Sequence, residues 1–150
     1  MQSLELKLPP PIVAAICGLG MWFLPTFPIS DSFVFMFFAL LLVLSGIAIA
    51  ILGLVSFRVA RTTFHPTLTD KTTALVTSGV YKFTRNPMYL GMLLVLTGIG
   101  FYLNNWLAFS FCIGFVGYIT RFQIKPEEAF LAELFPQAFP EYQARVRRWI

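Results

Sequence analysis

Hydrophobic residues in this chain come in long blocks rather than alternating with polar ones. Residues 8–30 carry no charged side chain, nor do residues 33–57, and residues 86–120 form a third uncharged run. About 20 apolar residues in a helix cross the roughly 30 Å hydrocarbon core of a bilayer, so each of the first two blocks qualifies as a spanning helix. The third block, as one helix, would be roughly 52 Å long and must fold back. Asn104-Asn105 lies near its middle and is a natural turn. The pattern therefore predicts a helical hairpin with arms at residues 88–103 and 106–120. Each arm would be roughly 22–24 Å, so a re-entrant hairpin stays open, provided that protein covers its tip. The second block carries Ser45, Gly46, Ala50 and Gly53, small residues that let helices approach closely.

Composition agrees with the blocks: 57% of residues are hydrophobic, 12% are charged and seventeen are Phe. The expected fold class is an all-α integral membrane protein, one domain over residues 1–150. Two N-terminal spanning helices and the hairpin give about four spans, near residues 8–30, 33–57, 88–103 and 106–120. A loop at 58–86 and short helices within 121–150 lie outside them. The first block reads as a span rather than a cleaved leader, because Glu5 dilutes its basic start and no small-x-small cleavage site follows.

Charge sets the expected orientation. Lys7 precedes the first block. Arg58, Arg61, Lys71, Lys82 and Arg85 fall in the loop, and Arg121, Lys125, Arg145, Arg147 and Arg148 in the tail. The connections at residues 25–32 and 104–105 have none, so by the positive-inside rule both termini and the loop face the cytoplasm. The net charge of +4 then reads as topology and lipid contact, with no nucleic-acid partner. The spans hold no ionisable side chain, which argues against an ion pathway. Cys17 and Cys112 lie in separate blocks without metal-ligand spacing, and His65 is the sole histidine, so no metal is expected. The chain has no P-loop and no glycine-rich dinucleotide motif. Any chemistry is expected where the polar stretches meet the membrane.

Two polar stretches stand out. Residues 77–91 include Gly79, Tyr81, Arg85, Asn86, Pro87, Met88, Tyr89 and Gly91. Asn86 is a favoured N-cap and Pro87 fits the first helical position, so a helix should start here with its positive end beside Arg85, a place for an anionic group. Tyr81 and Tyr89 would suit the membrane interface. In the tail, Pro126 followed by Glu127 and Glu128 reads as a second helix start, with Phe130, Leu131, Leu134 and Phe135 as its apolar face. Arg145, Arg147, Arg148 and Trp149 would suit the headgroup layer.

Taken together, residues 75–81 (Leu-Val-Thr-Ser-Gly-Val-Tyr), 85–91 (Arg-Asn-Pro-Met-Tyr-Leu-Gly), the Glu127-Glu128 pair with Leu131, Phe135, and Glu141-Tyr142 before Arg145-Val146 resemble the isoprenylcysteine carboxyl methyltransferase and phospholipid methyltransferase superfamily. The resemblance implies S-adenosyl-L-methionine as cofactor, bound at the membrane–cytoplasm boundary. It implies that Thr73, Ala74, Leu75, Val76, Tyr81, Asn86, Pro87, Met88, Tyr89, Glu127 and Glu128 line the cofactor site, with Glu127 at the donor's ammonium end. Arg85 and Arg121 would meet the reacting headgroup as the catalytic residues, and Arg121 and Gln123 the substrate. The implied substrate is lipophilic and enters from the bilayer. Isoprenylcysteine-type carboxyl O-methylation comes first, phospholipid amine N-methylation or thiol S-methylation second. Two departures bear on this: Asn86 stands where the superfamily commonly has His, and Gln123 where the prenylcysteine enzymes place an Arg. An NADPH-dependent sterol-type reductase shares part of the pattern, though Met92 follows the glycine where reductases carry an acid. A non-enzymatic membrane scaffold is the remaining alternative. Oligomeric state is not readable from the sequence.

Overall fold

The computed structural model describes residues 6–29, 33–59 and 74–150, and all regular structure among them is helical. The elements are α1 (Pro10–Trp22), α2 (Phe33–Val59), α3 (Pro87–Tyr102), α4 (Ala108–Ile119), α5 (Lys125–Leu134) and α6 (Ala138–Arg145), with a 3-10 turn at Gly79–Lys82. Helix α2 has 27 residues, with a mean hydropathy of 2.9 over its most apolar 18-residue stretch, and it alone among the described helices is long and apolar enough to cross a membrane. Helix α1 is shorter than its uncharged block. It starts on three consecutive prolines and stops at Trp22, because Pro25 pushes Leu24 away from helical geometry. Its 13 residues reach roughly 20 Å, short of a bilayer core.

The hairpin forms as the asparagines suggest. Asn104 takes a left-handed backbone (φ 48°), which Asn tolerates better than most residues. Both asparagine side chains then tie the turn to the connection after α1. Ile29 N–H donates to Asn104 Oδ1 at 3.0 Å, and Asn105 Nδ2 donates to the Pro25 carbonyl at 3.0 Å. Trp106 N–H adds a bond to the Phe27 carbonyl at 3.0 Å. Residues 25–29 and the asparagine turn therefore share one end of the bundle.

Helices α2 and α3 pack along most of their length through small residues. Ala39, Gly46 and Gly53, spaced by seven, are the buried positions of α2. A Cβ on Gly46 would lie 2.5 Å from the Gly91 carbonyl oxygen, and one on Gly98 would lie 2.8 Å from that of Ala39. The backbones touch, so van der Waals contact replaces side-chain interdigitation. Much of the rest of α2 is exposed, with Phe33, Phe37, Leu40, Leu44 and Ile51 more than half open, as expected of a surface facing lipid. Helix α1 packs against α3 and α4, and the core joins Val13 and Met21 to Tyr89, Leu96, Cys112, Phe115 and Ile119.

The tail departs most from expectation. Pro126 does not start a helix. The chain stays helical from α4 through Thr120–Ile124 into α5, and Lys125 N–H bonds five residues back to the Thr120 carbonyl, a π-turn. Pro126 explains it. A proline inside a helix has no N–H for the carbonyl four residues earlier, and its ring crowds that carbonyl, so the helix widens locally. The carbonyl released is that of Phe122, and it accepts Leu6 N–H at 3.1 Å. Gln123 Nε2 donates to the Leu8 carbonyl at 2.7 Å, so the N-terminal segment is docked on the same turn. Every Lys, Arg and Glu among the described residues falls at the end of the bundle opposite the asparagine turn.

Candidate functional site

At that charged end the start of α3 meets the start of α5. Tyr89 and Glu127, 38 positions apart, are joined by a bond from Tyr89 Oη to Glu127 Oε1 at 2.6 Å. Tyr89 is buried in the bundle core, so the acid sits at the lower edge of the polar region against apolar side chains. Burial is the main cause that lifts the Glu127 carboxyl to about 7. The neighbouring charge of Glu128 lifts it further, and the Tyr89 hydrogen bond works the other way. Tyr81 faces the same acid. Its hydroxyl is raised well above the usual range by burial first, then by Tyr142 and Glu127.

Glu128 lives in a different setting. Arg85 Nη2 donates to its Oε1 at 2.8 Å, and Arg148 donates to both oxygens, at 3.0 Å through Nε and 2.6 Å through Nη2. Adjacent residues on a helix point about 100° apart, which allows one acid to face Tyr89 and the next to face the arginines. Hydrogen bonding to Glu128 in turn raises Arg148.

A second, smaller core supports this end. Val76, Tyr81, Phe139, Tyr142 and Val146 are buried together, with Phe57 and Leu75 packed on them. The Tyr81 ring meets Phe57 edge to face at 5.5 Å, and Tyr142 Oη donates to the Tyr81 carbonyl at 2.7 Å. Burial pushes the Tyr142 hydroxyl up to about 12, against the lowering effect of Arg85. Gly79 reverses the chain just before Tyr81 in left-handed geometry (φ 62°), which glycine adopts without penalty.

The residues expected at a site therefore divide. Tyr81, Tyr89 and Glu127 come together. Pro87 begins α3 as expected and is buried, and Met88 lies against Gly53 of α2. Asn86 stands at the N-cap position, but its side chain does not cap the helix; Nδ2 donates to the Arg148 carbonyl at 2.9 Å instead. Val76 and Leu75 belong to the smaller core, and Ala74 is exposed. Glu128 and Arg85 are engaged with each other. Arg121 sits on the π-turn with its guanidinium 5.4 Å over the Phe122 ring. Gln123 is buried and bound to Leu8. Thr73, His65 and Arg61 lie outside the described residues. Sequence reasoning put Arg148 and Trp149 in the headgroup layer, yet Arg148 clamps Glu128 and Trp149 Nε1 donates to Thr120 Oγ1 at 3.2 Å. No local signal marks Arg148, since its partners lie 20 and more positions away. Among the described residues no cluster of His, Cys, Asp or Glu could hold a metal ion.

What this arrangement offers is one acid in apolar surroundings between two tyrosines, beside a second acid paired with two arginines. A carboxylate with aromatic faces suits a cationic group. The phospholipid methyltransferase family profile matches residues 34–138, from α2 to the first residue of α6. An uncharacterised protein of Haemophilus influenzae is 40% identical over 63 residues, which make up 42% of this chain and all of that protein. With the profile spanning well over half of its length, the chain belongs to the phospholipid methyltransferase family, a family of membrane methyltransferases.

Proposed function

We propose that the protein transfers a methyl group from S-adenosyl-L-methionine to a lipophilic acceptor at the membrane–cytoplasm boundary, with the charged end on the cytoplasmic side of a multi-pass bundle. The observation that carries this is the Glu127 carboxylate. It is desolvated, raised to about 7 and held by Tyr89, while the acid beside it is spoken for. An acid that is costly to ionise alone becomes favourable to ionise against a cation. The ammonium end of the cofactor is such a cation, and the faces of Tyr81 and Tyr89 suit the sulfonium. The residues present fit the cofactor in that respect. When bound, S-adenosyl-L-methionine supplies a methyl group on a positively charged sulfur, activated for in-line displacement.

What the chain contributes is positioning and exclusion of water. Tyr89 orients Glu127. The Val76–Tyr81 segment packs on α6, and α3 carries Tyr89 to the acid. The acceptor reaches the site from the bilayer, along the exposed helices. Its headgroup is the finer question. Arg85 and Arg148 are both committed to Glu128, and Gln123 to Leu8. That favours a phospholipid amine over an isoprenylcysteine carboxylate, which needs a donor to receive it, and leaves a thiol as the third reading.

Methyl transfer from labelled S-adenosylmethionine with detergent-purified protein tests this. The acceptors are phosphatidylethanolamine, N-acetyl-farnesylcysteine and simple thiols, with Glu127→Gln as control. Label in phosphatidylethanolamine, lost in the control, is expected. Label in farnesylcysteine instead would restore the carboxylate reading. Absence of both transfer and cofactor binding would overturn the enzyme reading.

A further inference from the structure

The family match ends at residue 138, yet the charged end is closed by residues beyond it. Val146 leaves α6 in extended geometry. The Arg147 carbonyl accepts Arg85 N–H at 3.1 Å, and the Arg148 carbonyl accepts Asn86 Nδ2 at 2.9 Å and Thr84 Oγ1 at 3.4 Å. The Arg148 guanidinium grips Glu128, and Trp149 reaches Thr120 on the π-turn. Four consecutive residues thus tie together the loop before α3, the acid pair and the π-turn.

We propose that residues 146–149 form a clasp that divides the acid pair. Arg148, with Arg85, fixes Glu128 and offsets its charge, so that Glu127 is the acid left to take a cation. Arg148 is then a positioning residue acting through Glu128. That Glu127 meets the cofactor's cation rests on the function proposed above; the division of the acid pair stands on the contacts alone.

The groups facing Glu127 are Tyr89 from α3, Tyr81 from the 3-10 turn, and Glu128 on its own helix, with Arg85 and Arg148 behind Glu128 and Tyr142 of α6 behind Tyr81. With both arginines present, the pair and its partners sum to zero when Glu127 is ionised. Without Arg148 they sum to minus one, with two carboxylates on neighbouring residues. Unshielded like charge disfavours ionisation of a buried acid by a unit or more. The carbonyl contacts act on geometry, holding the guanidinium at the depth of Glu128.

The test is an infrared titration of the protonated carboxyl band in the full chain in detergent, with the Glu127 signal identified by its loss in Glu127→Gln. Arg148→Gln should move the Glu127 midpoint up by about one pH unit and weaken S-adenosylhomocysteine binding at pH 7 about tenfold. Arg148→Lys should keep the wild-type midpoint, and so should Arg148→Gln combined with Glu128→Gln, where one charge of each sign is gone. An unmoved midpoint in folded Arg148→Gln overturns the clasp. Should that variant not fold, Glu128→Gln gives the reciprocal reading: the midpoint falls below wild type, and no fall overturns the proposal. Wild-type protein that binds no S-adenosylhomocysteine at any pH would strike the cofactor reading, while the infrared midpoints still decide the clasp.

Discussion

The contact between α2 and α3 and the contact between α5 and the tail are both close, for opposite reasons. Along α2 and α3 the fit is mainly one of volume; glycines and alanines let two backbones touch, and the Phe35 and Phe101 rings stack at 5.6 Å. Between α5 and the tail volume matters little. Guanidinium forks, an amide and carbonyls fix the geometry through bonds of 2.6–3.4 Å. The first contact should ignore pH and salt and tolerate no added atom. The second should tolerate added atoms and respond to charge. A membrane enzyme with this layout separates the part that must fit from the part that must titrate.

The strongest way to break the contrast is Gly46→Leu. The new Cβ would meet the Gly91 carbonyl, and backbone cannot swing aside. A cost of about 3 kcal/mol or more is expected, read as lost thermal stability in detergent and equal at pH 6 and pH 8. Glu127→Gln is the counterpart at the charged end. It should reduce methyl transfer about 100-fold, roughly 2.7 kcal/mol, without loss of fold. Its stability profile sharpens the point. The carboxyl titrates near 7 in the folded chain, above its ordinary 4.5. The stabilisation is therefore complete below 4.5 and lost as pH rises through about 7. Melting temperatures followed from pH 5 to pH 8.5 should fall for wild type and stay flatter for Glu127→Gln.

Smaller effects separate positioning from packing. Asn86→Ala removes one donor to the Arg148 carbonyl, and Gln123→Leu removes one to the Leu8 carbonyl. Each should cost about 1 kcal/mol. The Asn86 change should also weaken S-adenosylhomocysteine binding, because it loosens the tail, whereas the Gln123 change should leave the KM for acceptor untouched. Smallest of all, Gly114→Ala meets nothing within 4 Å and should stay within about 0.5 kcal/mol of wild type. A large effect there would mean that α4 is covered by something other than lipid.

The elements legible in the sequence were those set by local chemistry. The uncharged blocks gave the helices, Asn104-Asn105 the turn, and Pro87 the start of α3. The Tyr89 and Glu127 positions were reached through a resemblance, and the fold brings the two side chains together. Three features escaped because their causes are distant. Asn86 reads as a cap from its neighbours, but its partner is 62 positions away. Arg148 reads as a headgroup anchor until Glu128 is seen beside it. Pro126 followed by two acids reads as a helix start, since nothing local tells that α4 is already running into it. The length of α1 was overestimated because apolar composition continues past the last helical residue, where Pro25 overrides it.

Pro126 also sets an angular phase. The helix from α4 to α5 is one rod, and the asparagine turn clamps its far end to the connection after α1. Along such a rod each residue turns the next by about 100°. The extra residue in the π-turn is part of that count. Deleting a single residue between the turn and Glu127 would carry Glu128 toward Tyr89 and leave the arginines facing Ala129, whereas adding one would carry Glu127 to the arginines and leave Tyr89 facing Pro126. Along this helix, insertions and deletions are therefore a harsher class of change than substitutions, even at positions that touch only lipid.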